Sequence, residues 1–135
     1  MCCKYQNRRN SMIRFFLVAG GLSALLGVLA RSLSSHAIRP LLEERGTLEN
    51  FNLAADYLLF HALALVGVAI LCDLFPEAGF QRSGIAFIVG SLTFQGSVLF
   101  KSYASMGAFG IITPIGGGIL MLGWLLLMIS ALFAL

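Results

Sequence analysis

Four long stretches of the chain carry no charge, and their spacing predicts four helices that cross a membrane. The first, Phe15–Ala30, has 16 residues between Arg14 and Arg31. At 1.5 Å per residue it covers about 24 Å, short of the roughly 30 Å hydrocarbon core. The uncharged Ser32-Leu33-Ser34-Ser35 is therefore expected to continue the helix, with both arginines reaching back to the interface. The second run, Tyr57–Cys72, is extended backwards by Ala54-Ala55-Asp56, and the third, Gly84–Phe100, is closed by Lys101. The fourth, Ala104–Leu135, is longer than one span needs. Within it Thr113-Pro114 predicts an N-cap and a proline at the first helical position. The spans are expected at about 13–34, 54–73, 84–101 and 112–134.

Between the first two spans lies the only long loop, residues 36–53. Leu41-Leu42-Glu43-Glu44-Arg45 and Leu48-Glu49-Asn50-Phe51 are amphipathic there and predict interfacial helical turns. The expected fold is all-α: a four-helix transmembrane bundle with a short amphipathic interfacial segment between helices 1 and 2. One domain, 12–135, would follow a basic extension, 1–11. A start at Met12 would also make a sensible protein. The same front end mimics a secretion signal, with Lys4, Arg8, Arg9 and Arg14 before an apolar run and Val28-Leu29-Ala30 as a cleavage-like site. The uncut, four-span reading is preferred.

Composition agrees. Of 135 residues, 59% are hydrophobic and 11% charged, where a soluble domain carries about a quarter charged. An ordinary cytosolic globule, a disordered tail and a nucleic-acid-binding domain are excluded, and a net charge of +3 is too small to attract a polyanion. The expected partners are the lipid bilayer and subunits of a larger membrane complex, with no nucleic acid and no identified small-molecule ligand. Cys2, Cys3 and Cys72 form neither a disulfide framework nor a zinc site, and no lipidation motif surrounds the first two. No catalytic or nucleotide-binding motif is present, so no enzymatic activity and no cofactor or metal are expected.

With the termini cytoplasmic, that side holds Lys4, Arg8, Arg9, Arg14 and Arg82, and the other Arg31, Arg39, Arg45 and Lys101. The dense cluster before the first span decides for cytoplasmic termini.

Lipid offers helices no hydrophobic reason to associate, so close packing rests on small residues and interhelical hydrogen bonds. The first helix offers Gly20, Ser23, Gly27 and Ser34 on one stripe, and the third Ala86, Gly90, Thr93 and Ser97, with Lys101 one turn on. Gly116-Gly117-Gly118 would let another backbone approach the fourth. In an up-down bundle the polar residues Arg31, Ser34, His36, Asp56, Tyr57, His61, Gln95, Ser97, Lys101 and Thr113 collect towards one membrane face. Asp56 is expected to pair with Arg31 or Lys101, and Tyr57 with His61 four residues on to join them. The plain reading is a polar fastening between helices. The sharper ones are a small-solute or proton conduit through Asp56, His61 and Lys101, and a bis-histidine haem site on His36 and His61. On a regular helix His36 lies about 160° from the Gly20 stripe.

Phe16-Leu17-Val18-Ala19-Gly20-Gly21-Leu22-Ser23-Ala24-Leu25-Leu26-Gly27 followed by His36-Ala37-Ile38 resembles the opening of the YgdD-like small inner-membrane proteins. This is uncharacterised protein family 0382, also called domain of unknown function 423. Tyr57-x-x-x-His61-Ala62-Leu63-Ala64-Leu65, Phe94-x-Gly96-Ser97, Thr113-Pro114-Ile115-Gly116-Gly117 and Gly123-Trp124 resemble its later motifs in order. Gln95 and Leu99 depart from the family's serine and tyrosine. The resemblance implies a four-span bacterial inner-membrane protein without established activity. It also implies helix packing through Gly20, Gly27, Gly96, Pro114, Gly116, Gly117, Gly123 and Trp124.

Overall fold

The structure, a computed structural model, describes residues 2–104 and 107–134. Helix α1 (Cys2–Ser35) is followed by a short α2 (Arg39–Glu44), then α3 (Leu48–Leu74) and α4 (Gln81–Tyr103). A 3₁₀ turn (Gly107–Ile111) leads into α5 (Ile112–Ala134). Four helices are long and apolar enough to cross a membrane: Asn7–Ser35 of α1, and α3, α4 and α5. Helices satisfy every backbone polar group internally, which a bilayer demands. Residues 2–11 continue α1 without a break, and Met12 and Ile13 pack on its core. The side chains of Cys2 and Cys3, expected to carry neither bridge nor anchor, lie outside the described residues.

Two boundaries differ from the sequence expectation. Leu48–Phe51 is the first turn of α3, because the amphipathic pattern joins the span that follows it. The last helix begins at Ile112, so Thr113 lies inside it and is not its cap. Its hydroxyl serves another helix, as described below.

The chain packs in sequence order: α1 against α3, α3 against α4, and α4 against α5, while α1 scarcely meets α4. At the end holding the α3–α4 turn, Phe16, Leu65, Val68, Phe80, Phe87 and Leu120 form a buried apolar core. At the other end Leu42 of α2 is sealed against Ala30, Phe51 and Ala55.

Small residues close the seams. A Cβ at Gly20 would stand 3.0 Å from Ala62 O, and one at Gly27 3.1 Å from Ala55 O, so α1 lies with its backbone against α3. Between α4 and α5 the fit is tighter. A Cβ at Gly90 would come 2.7 Å from Leu120 Cδ2, and one at Gly116 would strike the Phe94 backbone and stand 2.6 Å from Thr93 Oγ1. Ser83 adds an interhelical hydrogen bond, its Oγ donating to Gly123 O at 2.8 Å. The predicted stripe Ala86, Gly90, Thr93 and Ser97 is thus the face α4 turns to α5.

Helix α2 ends in a Schellman turn. Gly46 takes φ +64°, its N–H donates to Glu43 O, and the N–H of Thr47 donates to Leu42 O. That turn aims Arg45 and Thr47 at the end of α4. Arg45 Nε donates to Ser102 O at 3.1 Å, Arg45 Nη2 to Tyr103 O, and Thr47 Oγ1 to Ser102 O at 3.2 Å. The carbonyls that a helix end leaves unpaired are met by this clasp. Sequence reading missed it, because nothing local in Arg45-Gly46-Thr47 points to a helix more than fifty residues away.

Candidate functional site: a histidine junction inside the bundle

His61 stands 13 residues from each end of α3, and Trp124 sits one residue past the middle of α5. The two rings meet near the middle of both helices. His61 is 4% exposed and Gln95 is 0% exposed, both enclosed where α3, α4 and α5 converge. Indole N–H can only donate, so Trp124 Nε1, 3.4 Å away, makes His61 Nε2 an acceptor. His61 Nδ1 lies 2.8 Å from Tyr57 O, the carbonyl one turn earlier, and donates its hydrogen there. A neutral imidazole with hydrogen on Nδ1 satisfies both contacts at once. The Gln95 amide lies 3.4 Å from Nδ1, a nitrogen whose single hydrogen is already given to Tyr57. Gln95 Oε1 is buried without a hydrogen-bond partner.

Aromatic rings wall this junction. Tyr57 stacks on His61 with centroids 5.8 Å apart, and Phe87 contacts both His61 and Trp124, the latter edge-on at 4.9 Å. Such pairs add about 0.5–1.5 kcal/mol each beyond their area.

The other predicted site residues lie in separate settings. Arg31 and Asp56 pair across the α1–α3 seam, with Nε 2.9 Å from Oδ1, and their side chains are 42% and 40% exposed. Of the two cations expected for Asp56, it takes Arg31. Lys101 instead donates to Gly110 O at 3.2 Å in the 3₁₀ turn. Ser97 and Thr113 join α4 to α5 by a hydroxyl pair 2.8 Å apart, and Ser34 reaches Asn52 Oδ1 at 2.6 Å. These groups share the end of the bundle where α1 and α4 finish and α3 and α5 begin, but they do not form one cluster. His61 is held at mid-span by Trp124 and the Tyr57 carbonyl, whereas Arg31, Asp56, Lys101 and Thr113 sit nearer the helix ends. Asp56 and His61 are five residues apart on one helix, about 140° around its axis, so they face different neighbours.

His36 and His61 are not brought together either. His36 lies in an exposed turn beyond α1. The Ser34–Asn52 bond sets that end of α1 level with Asn52, nine residues before His61, which separates the two rings by on the order of 15 Å. One iron cannot reach both. Among the described residues no group of three or more His, Cys, Asp or Glu could hold a metal.

Of the family-motif residues, Gly20, Gly27, Gly116 and Gly123 sit at close approaches, and Trp124 holds His61. A Cβ at Gly117 would make only an ordinary 3.6 Å contact, and one at Gly96 would meet nothing within 4 Å. Pro114 falls in the first turn of α5, where its missing N–H costs nothing. Asn52 and Ser83 were missed in the sequence. Their partners lie on other helices, and a lone Asn or Ser in an apolar run carries no pattern.

Comparison with known proteins places this architecture. The family described as "Protein of unknown function (DUF423)" matches residues 31–117. UPF0382 membrane protein YwdK of Bacillus subtilis is 27% identical over 120 residues, 88% of this chain and 97% of its own length. UPF0382 membrane protein C1782.12c of Schizosaccharomyces pombe is 32% identical over 109 residues, 76% of this chain and 89% of its own. The UPF0382 inner membrane protein YgdD of Escherichia coli is 24% identical over 121 residues, 88% and 90% of the two chains. No solved structure matches this chain. With well over half of its length matched by the family and four helices long and apolar enough to span a membrane, the chain belongs to the DUF423 (UPF0382) family of multi-pass membrane proteins.

Proposed function

We propose that this chain is a structural or accessory protein of a bacterial inner membrane, a small fixed body that joins a larger membrane complex and neither turns over a substrate nor conducts one. Both termini face the cytoplasm in this reading, on the side of Lys4, Arg8, Arg9 and Arg14. The inner-membrane assignment is drawn from the name of the Escherichia coli relative.

The observation that carries the proposal is the occupied state of His61. Both ring nitrogens are engaged, one donating to a backbone carbonyl and one accepting from an indole. A relay histidine passes protons between partners that can take and release them, and neither a backbone carbonyl nor an indole N–H does so. The nearest acid along the helix is tied to Arg31 at its surface. Interhelical hydrogen bonds of this kind serve packing, at about 0.6 kcal/mol each on average. The polar groups read as fasteners.

Two measurements test the reading. Proteoliposomes holding the purified protein are expected to pass protons no faster than protein-free vesicles. Capture from membranes in mild detergent is expected to bring a membrane-protein partner in fixed stoichiometry. Proton flux abolished by His61→Ala and Asp56→Asn, or a strictly monomeric protein that captures nothing, overturns it.

A further inference from the structure

Helices α1 and α4 run in the same direction and touch where Phe16 of α1 lies on Gly84 of α4, so close that a Cβ at Gly84 would come within 2.7 Å of the ring. Beyond that contact they part. Between them opens a groove of about 730 Å³, lined along α1 from Phe15 to Leu33, roughly 27 Å at helical rise. Its walls are almost wholly apolar, and its size suits a small-molecule site.

The groove differs from an ordinary lipid-facing seam in its floor. Ser91 and Gln95, one turn apart on α4, both line it. Both are buried, and Ser91 Oγ and Gln95 Oε1 have no hydrogen-bond partner. A hydroxyl on a membrane helix usually finds a nearby carbonyl, and the other serines and threonines of α4 do so. Thr93 donates to Val89 O, Ser97 to Phe94 O and Ser102 to Val98 O, while Ser83 donates across to Gly123 O. Among the serines and threonines of α4, Ser91 alone gives its hydroxyl to nothing. Seven residues on from the Phe16–Gly84 contact along both helices come Ser23 and Ser91, so the α1 wall contributes a further hydroxyl at the same depth.

From these unpartnered atoms we propose that the α1–α4 groove binds an elongated, uncharged lipid whose hydroxyl sits between Ser91 and Gln95. A phospholipid acyl chain would leave both polar atoms unmet, and a charged headgroup does not descend to mid-membrane. A hydroxyl both donates and accepts. It therefore satisfies Ser91 Oγ together with the Gln95 amide, whichever amide end faces the groove. Long-chain alcohols and isoprenoid quinols share this chemistry. The proposal does not depend on the accessory role.

The test uses the full-length protein in phosphatidylcholine nanodiscs and a photoactivatable long-chain alcohol, with peptide mapping of the cross-links. Labelling is expected on groove-lining residues of α1 and α4. Unlabelled hexadecanol should compete and its methyl ether should not. Ubiquinol tested alongside separates the two sources, and competition by either supports the site. Ser91→Ala combined with Gln95→Leu is expected to weaken labelling roughly tenfold, the equivalent of two mid-membrane hydrogen bonds. Leu26→Trp fills the groove from the exposed α1 side without touching either polar group, and should also lower labelling. Equal competition by the ether, labelling spread around all lipid-facing helices, groove labelling unchanged in both variants, or cross-links joining two copies through the groove would overturn the proposal.

Discussion

The α4–α5 seam and the α1–α4 groove are built on the same helix, yet one is closed and the other open. On the α5 side, α4 presents Ala86, Gly90, Thr93 and Ser97, and α5 answers with Gly116 against the Phe94 backbone, Leu120 in the space at Gly90, and Gly123 beside Phe87. On the other side α4 presents Ile88, Ser91, Leu92 and Gln95, and α1 answers with Leu22 and Leu26. Leucines facing leucines hold two backbones apart, and lipid gives them no reason to close. The comparison teaches that a seam forms where a backbone or side chain on one helix fills a gap left by the other. Small or polar residues do not suffice by themselves.

The strongest way to break the closed side is Gly116→Val. The new side chain would meet the Phe94 backbone, which cannot swing away, and a loss of about 3 kcal/mol is expected. The unfolding midpoint in a denaturing-detergent titration should fall accordingly. Gly90→Ala is milder, because Leu120 Cδ2 can move although its backbone N, 3.0 Å away, cannot; roughly 1–2 kcal/mol should be lost in the same titration. Trp124→Phe keeps the ring and removes the donor to His61 Nε2. It is expected to cost about 1 kcal/mol and to shift the imidazole ¹⁵N resonances. Unchanged resonances would mean that the indole does not hold the tautomer. Ser83→Ala deletes the bond to Gly123 O, with a loss near 0.6 kcal/mol in the unfolding curve. Gly117→Ala, next to the most sensitive site, meets only an ordinary contact and should stay within about 0.5 kcal/mol of the parent. If Gly116 and Gly117 respond alike, the register of this seam is wrong.

Much of this was legible in the sequence. Uncharged runs fixed the four spans, because hydrocarbon excludes charge along a whole helix. The stripes at Gly20–Gly27 and Ala86–Ser97 located two seams, because spacings of three and four share a helix face. That Asp56 pairs with Arg31 or Lys101 followed from the scarcity of charges; that it takes Arg31 did not. What periodicity could not carry was depth and long reach. His61 was grouped with residues near the helix ends because its distance from Tyr57 was visible and its opposition to Trp124 was not. Thr113 looked like a cap because Thr-Pro usually marks a start; its bond to Ser97 depends on how α5 leans on α4. The clasp of Arg45 on α4 and the unmet atoms of Ser91 and Gln95 likewise depend on the relative placement of helices distant in sequence.

The Arg45 clasp also orders the molecule's birth. Its acceptors, the carbonyls of Ser102 and Tyr103, are translated more than fifty residues after the guanidinium that holds them. The α1–α3 hairpin and the local hydrogen bonds of the Gly46 turn can form while the ribosome is still making α4, yet the side chains of Arg45 and Thr47 must wait for their acceptors until the third crossing is finished. A nascent chain arrested before Ser102 should leave that turn open to a protease, and one released after Tyr103 should not.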